Sequence, residues 1–284
     1  MIKIIQRVVL VLTILAAVLM AAAVIKTVGF RDTDGPEITM DQSSITVDVD
    51  CTDEELLQGI TAADKKDGDV TDSLVVESLS NFIEKGRRQV TVAAFDQDHN
   101  VTKATREVVY NNYTSPRFSL TGPLRFAVNS DESMTSVFQV QDCLDGDLSG
   151  EVVITSDYYY DYSVAGSYTV NFQVSNSAGD VVELPLTVET YDASADSSAP
   201  KVELSEYLIY VETGSAINPS DYILGVTDSG MSWEMGDNSN PYSLSDIEIT
   251  NPVDTSTPGV YEISYTIPSD GEYQASIRLV VIVE

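Results

Sequence analysis

The chain has 284 residues, 43% of them hydrophobic, and a formal net charge of -30. That length and apolar content allow two or three domains with their own cores and exclude wholesale disorder. The charge excludes nucleic acid as a partner, because phosphate backbones need clustered Lys and Arg.

The charge is unevenly spread. Residues 1–31 carry four basic residues and no acidic one, which leaves 11 basic against 45 acidic beyond them. From 113 to 284 the only cations are Arg117, Arg125, Lys201 and Arg278. Such a surface suits a solvated body and attracts divalent cations. Two cysteines, Cys51 and Cys143, and a single histidine, His99, cannot assemble the four soft ligands of a zinc site. The low cysteine count fits an envelope protein that does not depend on disulfides.

The first predicted element is a helix. Val8 to Ile25 is an apolar run interrupted only by Thr13, long enough to cross a bilayer at about 1.5 Å per residue. Lys3 and Arg7 precede it, so the expected orientation puts the N-terminus in the cytoplasm and residues past 31 outside. A cleaved signal peptide is the alternative, since Ala21-Ala22-Ala23 offers a small-residue cleavage site. The run is long for a signal peptide, and the anchor is the preferred reading: residues 1–31 form a cytoplasmic stub and transmembrane signal-anchor.

Beyond it the chain repeats. Pro36-Glu-Ile-Thr-Met, Pro116-Arg-Phe-Ser-Leu and Pro200-Lys-Val-Glu-Leu each place a proline before a short alternating strand. Near the end of each repeat an alternating strand begins with glycine: Gly86 to Phe95, Gly166 to Val174 and Gly259 to Ile267. In the second, Tyr168, Val170 and Phe172 should face inward and Thr169, Asn171 and Gln173 outward. The spacing suits independent sandwiches of about seven strands, at 36–111, 115–191 and 199–284, with no substantial helix outside the membrane. The linkers Asn111–Ser115 and Asp192–Ala199 are short, and the second, rich in Ser and Ala, is expected to bend. Glu54 to Leu57 reads as one helical turn, and Tyr158 to Tyr162 as an amphipathic strand with a sugar-stacking face as its alternative.

Ala63-Asp-Lys-Lys-Asp-Gly-Asp-Val-Thr and Val140-Gln-Asp-Cys-Leu-Asp-Gly-Asp-Leu-Ser carry an Asp-x-x-Asp-Gly-Asp motif. With the Gly-x-Tyr-x-Val strand and the turn at Asp96-Gln-Asp-His-Asn100, they resemble bacterial immunoglobulin-like surface-protein repeats. The resemblance implies an all-β fold: three tandem immunoglobulin-like β-sandwiches after one N-terminal transmembrane helix. It implies a role in stalks or binding modules and names no ligand. The third repeat lacks the motif and has in its place a longer segment, Thr227 to Pro241, with the only tryptophan.

Two candidate sites follow. Asp64, Asp67 and Asp69 in one loop and Asp96, Asp98 and Asn100 in another could converge on calcium, a hard cation that prefers carboxylates. The competing reading makes the same residues turn formers. Trp233 and Tyr242, on the divergent third repeat, are the candidate contacts for a protein or glycan partner, against a packing role. His99 sits at a loop tip with no nucleophile signature around it, and the chain is expected not to be an enzyme. The reading is a membrane-anchored cell-surface stalk or adhesion protein that displays its distal domain, with an extracellular carbohydrate-binding protein as the alternative.

Overall fold

The computed structural model describes residues 2–29, 33–155, 163–268 and 273–284. The Tyr158 to Tyr162 segment lies outside the described residues.

Helix α1 (Ile2–Gly29) contains the apolar span Gln6–Val24, long and apolar enough to cross a membrane and with none of its span buried. Between Val8 and Val24 the one polar side chain is satisfied internally: the Thr13 hydroxyl lies 2.9 Å from the carbonyls of Val9 and Leu10.

The remainder is mostly β and falls into two compact units, residues up to Asn112 and residues from Tyr113 onward. The first unit holds seven strands among its described residues: β1 (Glu37–Met40), β2 (Ser44–Val47), β3 (Ile60–Asp64), β4 (Gly68–Asp69), β5 (Val75–Leu79), β6 (Arg87–Phe95) and β7 (Val101–Tyr110). They form two sheets, ordered β1-β3-β4 and β2-β7-β6-β5. Strand β2 pairs in parallel with β7, from Ser44 opposite Glu107 to Val47 opposite Tyr110. The expected helical turn is α2 (Asp53–Leu56), closed by a capping box between Thr52 and Glu55. Leu56, Ile60, Val90, Val92 and Val108 fill the space between the sheets. So does Arg106, 2% exposed, whose guanidinium donates to the carbonyls of Gln58 (2.7 Å) and Leu56 and ties the α2 loop to β7.

The second unit holds two more sandwiches with the same strand connectivity. One contains β8 (Arg117–Leu120), β9 (Arg125–Ala127), β10 (Phe138–Asp142), β11 (Gly146–Asp147), β12 (Val153–Ile154), β13 (Gly166–Ser175) and β14 (Val181–Tyr191). Its sheets run β8-β10-β11 and β9-β14-β13-β12. After the short helix α3 (Ala193–Asp196) come β15 (Lys201–Leu204), β16 (Leu208–Val211), β17 (Ile223–Asp228), β18 (Met231–Glu234), β19 (Glu248–Thr250), β20 (Gly259–Thr266) and β21 (Ser276–Val283). Their sheets run β15-β17-β18 and β16-β21-β20-β19. The three immunoglobulin-like sandwiches after an N-terminal helix are the fold that the sequence implies.

The β13–β14 hairpin has the expected register. Val170, Phe172 and Val174 are buried while Thr169 is exposed, and the Phe172 ring lies 4.5 Å from that of Phe138. The second linker differs from expectation. Asp192 caps α3 by accepting from Ser194 N and Ala195 N, and Asp196 is buried, so the segment is a fixed turn within one compact unit, not a bending point. Leu208 and Val280 of the third sandwich belong to the same buried cluster as the core of the second.

Candidate functional site

The first two sandwiches repeat the aspartate motif in geometry as well as in sequence. Asp64 Oδ1 accepts from the N–H of Lys66 (2.7 Å) and Asp67 (2.9 Å), and Asp142 Oδ1 accepts likewise from Leu144 and Asp145 (both 2.9 Å). Gly68 and Gly146 follow with φ of 79° and 76°, where a side chain would be strained. Asp69 and Asp147 each accept from the amide two residues on, Thr71 N (3.0 Å) and Ser149 N (2.9 Å). The Thr71 and Ser149 hydroxyls in turn accept from Ala62 N (3.1 Å) and Val140 N (3.0 Å).

The middle aspartate reaches the other loop. Asp67 Oδ2 accepts from Gln97 N at 2.9 Å, and Asp145 accepts from the Ser177 hydroxyl at 2.6 Å. Asp96 accepts from Asn100 N (2.7 Å) and Asn100 Nδ2 (2.6 Å), while Asp98 is ion-paired with Lys66. Asn176 takes the place of Asp96 in the second sandwich and accepts from Asp180 N at 3.0 Å. His99 is exposed with φ 69°, the left-handed position that Gly179 occupies in the second sandwich, so it is a turn residue.

The structure thus brings the two acidic loops together through direct hydrogen bonds. Its carboxylates are directed at backbone N–H groups, which hold Asp64 below the ordinary carboxyl range through the amides of Asp67 and Lys66. Among the described residues no group of three or more His, Cys, Asp or Glu side chains is arranged to hold a metal ion. This geometry favours the turn-forming reading of Asp64, Asp67, Asp69, Asp96 and Asn100, while Asp98 pairs with Lys66.

In the third sandwich β18 occupies the topological place of β4 and β11. The turn is Ser229-Gly230, both with positive φ, so the hairpin closes in two residues and needs no aspartate ladder. Trp233 stands opposite Val226, which is fully buried, and therefore lies on the inner face of its sheet. There it is half-buried, edge-on to Tyr242 at 6.2 Å. The Tyr242 hydroxyl donates to Asp228 at 2.7 Å, and burial together with that carboxylate pushes its pKa up to about 12. Gly225 lets β18 lie this close to β17, because a Cβ there would lie 2.2 Å from the Trp233 carbonyl oxygen.

Sequence reasoning missed the junction between the second and third sandwiches. Three of the four cations of residues 113–284 meet there, and the fourth, Arg117, crosses between the same two sandwiches at a separate place. Arg125, its side chain 6% exposed, donates to Glu189 (3.1 Å), Asp196 (2.8 Å) and the Tyr273 oxygen (2.7 Å). Lys201 pairs with Asp196 at 3.0 Å, and Arg278 lies 3.6 Å from both Glu189 and Glu262. Thr187 N donates to Glu262 at 2.6 Å. Burial opposes the charge on Arg125, but its two carboxylate partners outweigh that and raise its pKa. Arg117 pairs with Glu284 at 2.9 Å and lies 3.8 Å over the Tyr210 ring.

Beside this junction runs an open groove of about 690 Å³. Its exposed polar lining is Ser119, Gln139 and Gln141 from the second sandwich and Ser205 and Glu206 from the third. Half-buried Tyr207, Tyr210 and Tyr222 supply its aromatic surface.

No protein-family model matches the chain, and no curated protein matches it. Solved structures similar to it include the CBM51-2 domain in complex with GlcNAc and INT domains from Clostridium perfringens ZmpB, at 15% identity over 53% of this chain and 26% of that chain, with a TM-score of 0.22. A second is protocadherin gamma B2 extracellular cadherin domains 3–6, at 16% identity over 88% and 73% of the two chains, with a TM-score of 0.20. A third is the lipoprotein BT2262 from Bacteroides thetaiotaomicron, at 13% identity over 86% and 99%, with a TM-score of 0.18. The chain spans 26% and 30% of the length of the two Clostridium perfringens structures. None of them lends this chain a function.

Proposed function

We propose that the protein is a non-enzymatic, membrane-anchored surface protein: α1 holds it in the bilayer with the N-terminus in the cytoplasm, and the three sandwiches project outward for adhesion. The observation that carries the reading is the buried junction. By packing the second and third sandwiches around Arg125, Lys201 and Arg278, the chain builds a two-domain head. A head that keeps its shape presents a fixed surface, which lowers the ordering cost of binding. The acidic exterior keeps such a head solvated. Cells expressing the full chain should retain it in the membrane fraction with its N-terminus near Met1, lose residues 33–284 to added protease, and adhere to a partner surface better than cells without it. Release as a soluble protein beginning near Val24 would remove the anchor from this reading.

A second reading, an extracellular carbohydrate-binding protein, is favoured by the tyrosine- and amide-lined groove.

A further inference from the structure

We infer that the groove between the second and third sandwiches is a binding site for an uncharged glycan; this rests on the carbohydrate-binding reading and gives it a place and a ligand class. At about 690 Å³ the groove falls within the roughly 300–1,000 Å³ of ordinary ligand sites. Gln139 and Gln141 are two apart on β10, so both stand on one face about 7 Å from each other. Each presents two amide donors and a carbonyl acceptor, and Ser119 and Ser205 add hydroxyls. That mixture pairs with sugar hydroxyls, which also donate and accept. Tyr207 and Tyr222 supply apolar area for the C–H faces of sugar rings, at low ordering cost because these side chains are already half-buried.

Charge narrows the ligand class. Arg117 is already paired with Glu284 and stacked on Tyr210. Glu206 is the remaining charged side chain of the lining and repels anions, as does the acidic exterior. A peptide adding as a strand is disfavoured by the edge of β8, where Phe118 N already donates to the Tyr210 hydroxyl at 2.8 Å.

The test uses the full chain in phosphatidylcholine nanodiscs. Calorimetric titration would employ neutral gluco-, manno-, galacto- and xylo-oligosaccharides of about four to six sugars, with uronic-acid oligomers alongside. At least one neutral oligomer should bind saturably, and the uronic oligomers should not. The Gln139→Ala/Gln141→Ala double variant, altered only at exposed positions, should bind about tenfold more weakly or worse at an unchanged melting temperature. Neutral-sugar binding that survives the double substitution would overturn the groove assignment and leave the carbohydrate-binding reading standing. Preference for the uronic oligomers would overturn the uncharged class, and no binding to any sugar would remove both the site and the reading beneath it.

Discussion

Arg125 Nη2 and Asp196 Oδ1 lie 2.8 Å apart with side chains only 6% and 11% exposed, one from β9 of the second sandwich and the other from the turn leading to the third. Removing one partner of a buried pair costs about 3–5 kcal/mol when nothing else pairs the charge left behind. Here Lys201 stays beside Asp196 and Arg278 beside Glu189, so Arg125→Met should destabilise the second unit by less than that and leave the first unit's unfolding transition in place. Denaturant unfolding followed separately for the two units, by Trp233 fluorescence and by a probe in the first unit, measures both.

The same pair gives a dependence on acid. Burial alone would raise the Asp196 carboxyl, but Arg125 and Lys201 outweigh it and hold it below 3.8. A carboxyl with a depressed folded-state pKa contributes stability above its unfolded value, and that contribution is lost as pH falls through the folded value. The melting temperature of the second unit should be level above about pH 5 and fall steeply below about pH 4. In Arg125→Met the acid-sensitive part should shrink.

Tyr242 gives the opposite limb. Its phenol, raised to about 12, contributes stability in full below the ordinary tyrosine pKa of 10, and this is lost as pH rises through 12. The difference between the ultraviolet titrations of wild type and Asp228→Ala should show a tyrosinate component near pH 12 in the wild type that moves toward 10 in the variant.

For the aspartate motif, the atom that matters to the turn is an oxygen, whereas a calcium ligand needs charge. Asp64→Asn keeps an acceptor for Lys66 N and Asp67 N and should melt close to wild type, while Asp64→Ala should melt measurably lower. Melting in millimolar calcium and in chelator addresses ligation directly. A midpoint that rises with calcium in the wild type and not in Asp67→Asn would restore the metal reading.

Gly225→Ala inserts a methyl group where 2.2 Å separates the Cβ position from the Trp233 carbonyl. Strands β17 and β18 would have to part, at about 1–3 kcal/mol for overpacking. Trp233 fluorescence should shift to the red as its contact with Tyr242 loosens.

Much of the architecture could be read from local pattern. Alternation at Val170, Phe172 and Val174, the proline before each opening strand and the β13–β14 hairpin all depend on near neighbours, and the structure has them as expected. What the pattern could not give was assembly. Arg125, Lys201 and Arg278 were visible as scarce cations, yet their meeting depends on how two sandwiches pack, which no spacing encodes. Trp233 looked like a loop residue because its segment is long and polar. The Ser229-Gly230 turn makes it a strand, and pairing with Val226 then turns the ring inward. The aspartates drew attention for their charge, and the structure uses their geometry.

In each sandwich the early strand that runs parallel to the final one has a mechanical meaning. Ser44–Val47 beside Glu107–Tyr110, Arg125–Ala127 beside Glu189–Tyr191, and Leu208–Val211 beside Val280–Val283 form three such pairs. Tension drawn through the chain pulls the two members of each pair in opposite directions along their length. Their backbone bonds are then loaded together in shear and cannot be peeled open one after another, so each sandwich resists stretching through a patch of only three or four residue pairs.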